Sequence, residues 1–398
     1  MEEQNSTPTM PTPEAKPVMN NFKNSNNKVG FFKRIWHGLK SRRFWFTLLP
    51  VALAVLGFSA WYTGRNATTD TATTEATASP SSNLVPSLLN GVLVSPDIAN
   101  KRVVATMIEN TPEARPQAGL SSADVVYEDT VEGGITRFMA LFQQTQPDKV
   151  GPVRSARSYY VNWLAEYDGI YMHAGGSPAG LAAISKNSTK DYPDISNDSY
   201  FRIPKAGLAS EHTLYASVAK VFQYATTDKK WSTTKDFPSW QFKDPIATPT
   251  TTGTVSVNFT TSTYQADWVF DPTANIYARK LAGVAHNDQV TGEQIKASTI
   301  VVMTVQRSAN APYAGTGKES EWNQTTIGSG AVSVFEDGTR VDGTWKKASV
   351  TDRTRFYDTA GKEISLNRGK IWIEVIPQTG SVTFTPTAVA TPTPTPAT

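Results

Sequence analysis

No cysteine occurs anywhere in the chain, and that absence removes several chemistries at once. Thiolate zinc sites, iron–sulfur clusters and a cysteine nucleophile are excluded, as is a lipid anchor attached through a cysteine thioether. Disulfides are excluded too. A chain of 398 residues with 39% hydrophobic and 10% aromatic content can nevertheless bury a core without them, so an oxidising compartment remains open. Internal repeats are missing. Gly315-Thr316-Gly317-Lys318 lacks the spacing of a phosphate-binding loop. Nothing points to a cofactor or to a metal site.

A strong overall charge is also lacking, and the formal value of +3 hides its distribution. Residues 1–43 carry eight basic side chains, from Lys16 to Arg43, against Glu2, Glu3 and Glu14. That segment is therefore +5 and everything after it −2. A nearly neutral folded region is not expected to attract nucleic acid in bulk.

Long apolar runs are absent except for one. Phe44 to Gly64 is 21 residues without a charge, just long enough for a helix to cross the hydrocarbon of a bilayer. Trp45 stands near one end and Trp61 and Tyr62 near the other, where amphipathic rings favour the interface. The basic cluster lies wholly on the N-terminal side, which places residues 1–43 in the cytoplasm and the bulk of the chain outside. The run is too long, and Gly57-Phe58-Ser59-Ala60 too poor a cleavage site, for a signal peptide. Residues 65–84 read as a Thr/Ser-rich linker.

The spacing of apolar residues predicts an α+β protein: a mixed α/β layered domain over 85–226, a connector over 227–253, and a mainly β domain over 254–384. A Thr-Pro tail from 385 to 398 reads as disordered. In the first domain, strands are expected at Val103–Ile108, Ala123–Tyr127, Ile135–Phe142 and Ile170–His173, and helices at about Ser155–Tyr167, Pro178–Ser185 and Leu214–Tyr224. In the second, strand signals recur from Val255 to Val375, with Asp337-Gly338 and Asp342-Gly343 as hairpin turns.

The densest chemistry lies between Tyr127 and Arg157. Alternation along Ile135–Phe142 puts Arg137 on one face with Ile135, Met139 and Leu141. A guanidinium in such company needs a carboxylate or an anionic ligand. Arg154 and Arg157 follow, with Ser155 as the expected cap of a helix whose free N–H groups attract anions. Arg137, Arg154, Ser155 and Arg157 thus form a candidate anion cradle. The alternative is that Glu109, Glu128 and Glu132 pair with these arginines in a purely structural network. Candidate acid/base groups are Glu128, Glu132, His173 and His212. Gly175-Gly176-Ser177-Pro178 reads as a Gly-Gly turn with Ser177 capping a helix, rather than as a nucleophile elbow. Trp345, Trp372 and Tyr277 read as sheet core rather than as a carbohydrate-stacking surface.

Several blocks together resemble the YerB-like family of bacterial envelope lipoproteins. They are Met107-Ile108-Glu109-Asn110, Ala114 to Leu120, Ala123 to Glu128, Glu132 to Phe138, Gly151 to Arg157 and His173 to Ser177. The second half adds Arg279, His286-Asn287-Asp288, Thr299 to Val302, Gly338, Gly343-Thr344-Trp345 and Gly369-Lys370-Ile371-Trp372. The resemblance covers roughly residues 85–380. It implies an envelope protein with an α/β-type domain followed by a β-rich one, of unestablished molecular function and with no catalytic residue to carry over. Members of that family typically attach through a lipidated cysteine; here the apolar run from Phe44 would take its place.

Three functions are consistent with these features. The first is a binding or accessory module for an anionic envelope component, such as a phosphate-bearing polymer or a lipid-linked precursor. The second is an envelope hydrolase or transferase. The third is a structural protein docking protein partners without a small ligand.

Overall fold

The computed structural model describes residues 83–193, 198–310 and 320–388. The expected cytoplasmic segment, the apolar run 44–64, nearly all of the linker and Gly315–Lys318 lie outside them. Among the described residues no helix is long and apolar enough to cross a membrane. The described residues form one compact unit.

The chain is mostly β, with fewer helices than an alternating α/β pattern suggests. Its first half contributes β1 (Val104–Glu109), β2 (Val125–Thr130), β3 (Thr136–Phe142), β4 (Ile170–His173) and β5 (Lys190–Pro193). Helices α1 (Ser158–Leu164), α2 (Pro178–Lys186) and α3 (Val218–Thr227) belong to the same half. Next come β6 (Phe242–Lys243), β7 (Thr251–Asn258), β8 (Ala266–Asp271), β9 (Ile276–Leu281), β10 (Val284–Ala285) and β11 (Lys296–Ala297). The chain continues through β12 (Thr299–Val305), β13 (Gly328–Glu336), β14 (Thr339–Lys347) and β15 (Arg355–Asp358). It closes with β16 (Leu366–Asn367), β17 (Ile371–Pro377) and β18 (Ser381–Ala388).

Ten strands form one mixed sheet in the order β15-β14-β13-β12-β17-β2-β3-β1-β4-β5. Its seam joins the two halves of the sequence: β17 pairs parallel with β2, from Ile371 opposite Val125 to Val375 opposite Asp129. A six-stranded sheet, β10-β9-β8-β7-β18 with β11 on β9, belongs to the second half alone. One core, with Ile108, Val126, Phe138, Trp268, Tyr277 and Trp372, packs the inner face of the long sheet against the smaller sheet and α3. A second core on the outer face brings Met107, Tyr127, Met139, Trp163, Val301 and Trp345 together under α1. The alternation in β3 therefore sorts its residues as the period-2 rule requires. Trp345, Trp372 and Tyr277 are fully buried in these cores, so no stacking surface is made from them.

Asp337 and Gly338 connect β13 to β14 in a two-residue turn with φ of 56° and 70°, the left-handed pair that a twisted hairpin demands. Asp342-Gly343, expected as a second turn, instead lies inside β14. Gly343 is there because a Cβ would stand 1.8 Å from the Tyr357 carbonyl oxygen. Leu214–Ala216, expected as helix, is a short strand, and α3 begins only after Ser217, whose hydroxyl accepts from the Lys220 N–H at 3.2 Å. Thr385–Ala388, read as the start of the disordered tail, complete β18 and pair with Thr251–Thr254.

Candidate functional site

Strand register places three charged residues in one row on the outer face. Glu109 of β1 and Asp129 of β2 both stand opposite Arg137 of β3, and all three side chains emerge toward α1. Each carboxylate has found a different cation. Glu109 lies 3.2 Å from Arg154 Nε and 2.8 Å from His212 Nδ1. The Arg154 approach is close enough for attraction but not aligned for a hydrogen bond. Asp129, fully buried, pairs with Arg307 and accepts from Gln324 Nε2 at 2.7 Å.

Arg137 is left without a carboxylate among the described residues. Its Nη1 donates to the Ser155 carbonyl at 2.8 Å, while its Nε is buried with no partner. The residue is 7% exposed. Burial first, then the charges of Arg157 and Arg154, pull its pKa down to about 10. A desolvated guanidinium beside two others, answered by one backbone carbonyl, is an unfavourable arrangement for the fold alone.

The other two arginines are paired. Arg157 clamps Glu132 from Nε (2.8 and 3.0 Å) and Nη2 (2.7 Å). Although burial pushes Glu132 up, this pair outweighs it and holds the carboxyl below its usual range. Arg154 Nη2 also approaches Glu211 at 3.7 Å. Ser155 is not the helix cap that its position suggested: α1 starts at Ser158 with Arg157 at the cap position. The Ser158 N–H points to Glu321 Oε1 and Oε2 at 3.4 and 3.3 Å, and the Ser158 and Ser177 hydroxyls reach the same carboxylate. A carboxylate of the chain itself therefore holds the place that an external anion was expected to take. Ser177 does cap α2, accepting from the Gly180 N–H at 2.9 Å, with Pro178 next.

Glu128 separates from the other acid/base candidates. Glu128 neighbours Asp129 but faces the opposite side, fully buried between the two sheets. There it pairs with Arg279 and accepts from Asn110 Nδ2 at 3.2 Å and Thr136 Oγ1 at 2.7 Å. It is closed into that network, on the face opposite to Asp129 and Arg137. His173 is buried, with Nδ1 2.7 Å from the Gly175 carbonyl and Nε2 2.7 Å from Asp191. His212 is committed to Glu109. Among the described residues no three His, Asp or Glu side chains are grouped to hold a metal.

Sequence reasoning missed Arg307 and Glu321, which come from the second half and reach the cluster across 178 and 163 residues. No local pattern signals either. Arg279 had one signal, a charge that shares one face of β9 with Tyr277 and Leu281, of the kind that singled out Arg137. Beside Arg307 the surface opens into a cleft of about 210 Å³, walled by Trp322, Thr130, Gly134 and Gln378.

Two family models match this sequence. One, described as the N-terminal domain of a protein of unknown function, DUF3048, covers residues 89–232, and the other, its C-terminal domain, covers 255–373. A curated protein of Bacillus subtilis (strain 168), named "Putative lipoprotein YerB", is 28% identical over 296 residues, which is 73% of this chain and 85% of that one. The crystal structure of YerB from Bacillus subtilis superposes with a TM-score of 0.64 at 26% identity, over 75% of this chain and 99% of the other.

Proposed function

This chain belongs to the DUF3048 family, whose N-terminal and C-terminal domains it carries in order, and on that premise we propose that it is an extracytoplasmic, membrane-anchored binding protein of the cell envelope. Its ligand is anionic and is taken by Arg137, with Arg154 and Arg157 beside it. The relative named as a lipoprotein supports the location, and the apolar run 44–64 behind a basic segment supports the means of attachment.

One observation carries the ligand reading: Arg137 is almost wholly buried and lacks a carboxylate among the described residues, whereas Arg157 has Glu132 and Arg154 has Glu109 and Glu211. A phosphate or carboxylate from outside would supply the counter-charge that the fold withholds. Phosphate-bearing envelope polymers and lipid-linked precursors present that group. A hydrolase or transferase with Glu128 or Glu132 as acid/base has no comparable support, since Glu128 is closed in the Arg279 pair and Glu132 in the Arg157 clamp.

Binding of residues 80–398 to inorganic polyphosphate, and to vesicles containing an anionic phospholipid, is the test. Arg137→Met is expected to weaken binding about tenfold or more, the worth of a charge-assisted hydrogen bond in a partly buried site. Equal binding by Arg137→Met and the parent would reject the reading.

A further inference from the structure

Far from the arginine cluster, the segment read as a connector holds a second group of reactive side chains. Strand β6 lies parallel to β16, and Lys243 and Asn367 are register partners across this pair. Lys243 Nζ lies 2.5 Å from Asn367 Oδ1. Two carboxylates complete the group. Glu336, the last residue of β13, stands 3.0 Å from Nζ through Oε1. Asp337, in the adjoining turn, stands 2.6 Å from Nζ through Oδ2 and accepts from Asn367 Nδ2 at 2.8 Å through Oδ1. One carboxylate thus touches both the amine and the amide nitrogen that it would displace.

An ion pair alone needs no amide at its centre, and a lysine that merely decorates the surface needs one carboxylate at most. Here the amide is fully buried, both carboxylates are nearly so, and their positions are over-determined. Glu336 Oε2 accepts from the Asn367 N–H at 2.8 Å. Asp337 Oδ1 also accepts from the Ile246 N–H at 3.1 Å and from Asn275 Nδ2 at 2.9 Å. A nucleophile, an electrophilic carbonyl and two proton carriers held in contact meet the requirements of intramolecular amide transfer, in which proximity replaces a bimolecular encounter.

From this arrangement we propose that Lys243 and Asn367 become joined by an isopeptide bond, with Glu336 and Asp337 as the proton carriers. The lysine ammonium passes one proton to Glu336, and the freed amine attacks Asn367 Cγ. A second proton moves from Nζ through Asp337 to Nδ2. The C–Nδ2 bond then breaks as the Nζ–Cγ bond forms an amide, and the nitrogen departs with the Glu336 proton as ammonium. No oxidant or co-reactant enters.

The electrostatics fit the two roles. Burial works against the Lys243 charge, but Asp337 and Glu336 outweigh it and raise its pKa, so the resting group is an ammonium in need of a base. Burial raises Glu336, making it the readier of the two carboxylates to take that proton. Asp337 is held low by its donors, with burial the opposing influence. The bond would tie the connector to the strand before β17 across 124 residues. In a chain without cysteine, it would stand where a disulfide would otherwise close a long loop.

Intact mass spectrometry of the purified full chain, followed by proteolysis and peptide sequencing, tests the assignment. The parent is expected to be lighter by one ammonia and to yield a branched peptide joining Lys243 to Asn367. Lys243→Arg and Glu336→Gln are expected at their full calculated masses. A parent chain at full mass after prolonged incubation at mildly alkaline pH would overturn the proposal, and this reading does not depend on how any variant folds. Ammonia loss with linear peptides only, the mark of a succinimide at an asparagine, would overturn it equally.

Discussion

The two faces of strands β1 to β3 carry opposite solutions to the same problem. Between the sheets, Glu128 and Arg279, both fully buried, sit in a network that is nearly closed. Arg279 Nη1 donates to His286 Nδ1 at 2.7 Å, His286 Nε2 donates to Gln117 Oε1 at 2.8 Å, and Gln117 Nε2 donates to Asn110 Oδ1 at 2.9 Å. Burial, then the charge of Arg279, keeps His286 well below its usual pKa, which matches a neutral ring accepting at one nitrogen and donating at the other. Phe138, Trp268 and Trp372 surround the guanidinium with ring centroids 5.7, 5.4 and 4.9 Å away. On the outer face, one residue along each strand, Arg137 has a single backbone carbonyl. Glu128 and Arg137, near neighbours in one sheet, thus show a charge closed into the fold and a charge left without a counter-ion among the described residues.

The sharpest way to break this contrast is to remove the inner cation. Arg279→Met leaves Glu128 buried without its ion-pair partner and is expected to cost about 3–5 kcal/mol in urea denaturation of residues 80–398. Arg137→Met, by comparison, removes an unpaired buried charge and is expected to leave stability unchanged or raise it by about 1–2 kcal/mol while reducing anion binding. Similar losses for both variants would show that the two faces are alike.

A smaller effect belongs to the clamp beside Arg137. Glu132 has a folded pKa below its unfolded value, so its contribution is present above about pH 4 and lost as pH falls through the folded pKa. Glu132→Gln is expected to cost about 1 kcal/mol at neutral pH and to flatten the acid limb of a stability–pH curve. An unchanged acid limb would mean that the Arg157 clamp contributes nothing.

The smallest effect lies at the inner network. Glu374, whose Oε1 accepts from Trp268 Nε1 at 2.7 Å, is raised well above its usual pKa by burial and then by Glu128. Such a group favours folding fully only below its unfolded pKa and loses that contribution as pH rises through the folded one. Glu374→Gln imitates the neutral acid. It is expected to change stability by less than about 1 kcal/mol near pH 4, where the parent group is protonated in both states, and to remove the decline as pH rises from there. A large loss would show that the carboxylate form is the one used.

Much of the architecture was legible locally. Ile170–His173 matches the expected strand at both ends, because a continuous apolar run marks a buried strand whatever its partners. The Asp337-Gly338 turn was legible for a backbone reason, the need for positive φ. Asp342-Gly343 misled because the same dipeptide also serves where a neighbouring carbonyl leaves no room for a side chain. The site was half legible. Arg137, Arg154 and Arg157 do lie near one another, and Glu109 and Glu132 were among the carboxylates expected to answer them. Glu128 was not separable from the rest by sequence, since its partner Arg279 lies 151 residues away.

By itself the sequence determined the alternation that sends Arg137 to one face and Phe138 to the other, because side-chain direction in a strand has a period of two and needs no partner to set it. It also determined the apolar run at Phe44 and the basic segment before it, since both are properties of composition. Only the tertiary structure decided which arginine would go unpaired. Pairing depends on which distant strand arrives alongside, and here β17 docks on β2 while Arg307 and Glu321 reach Asp129 and the start of α1.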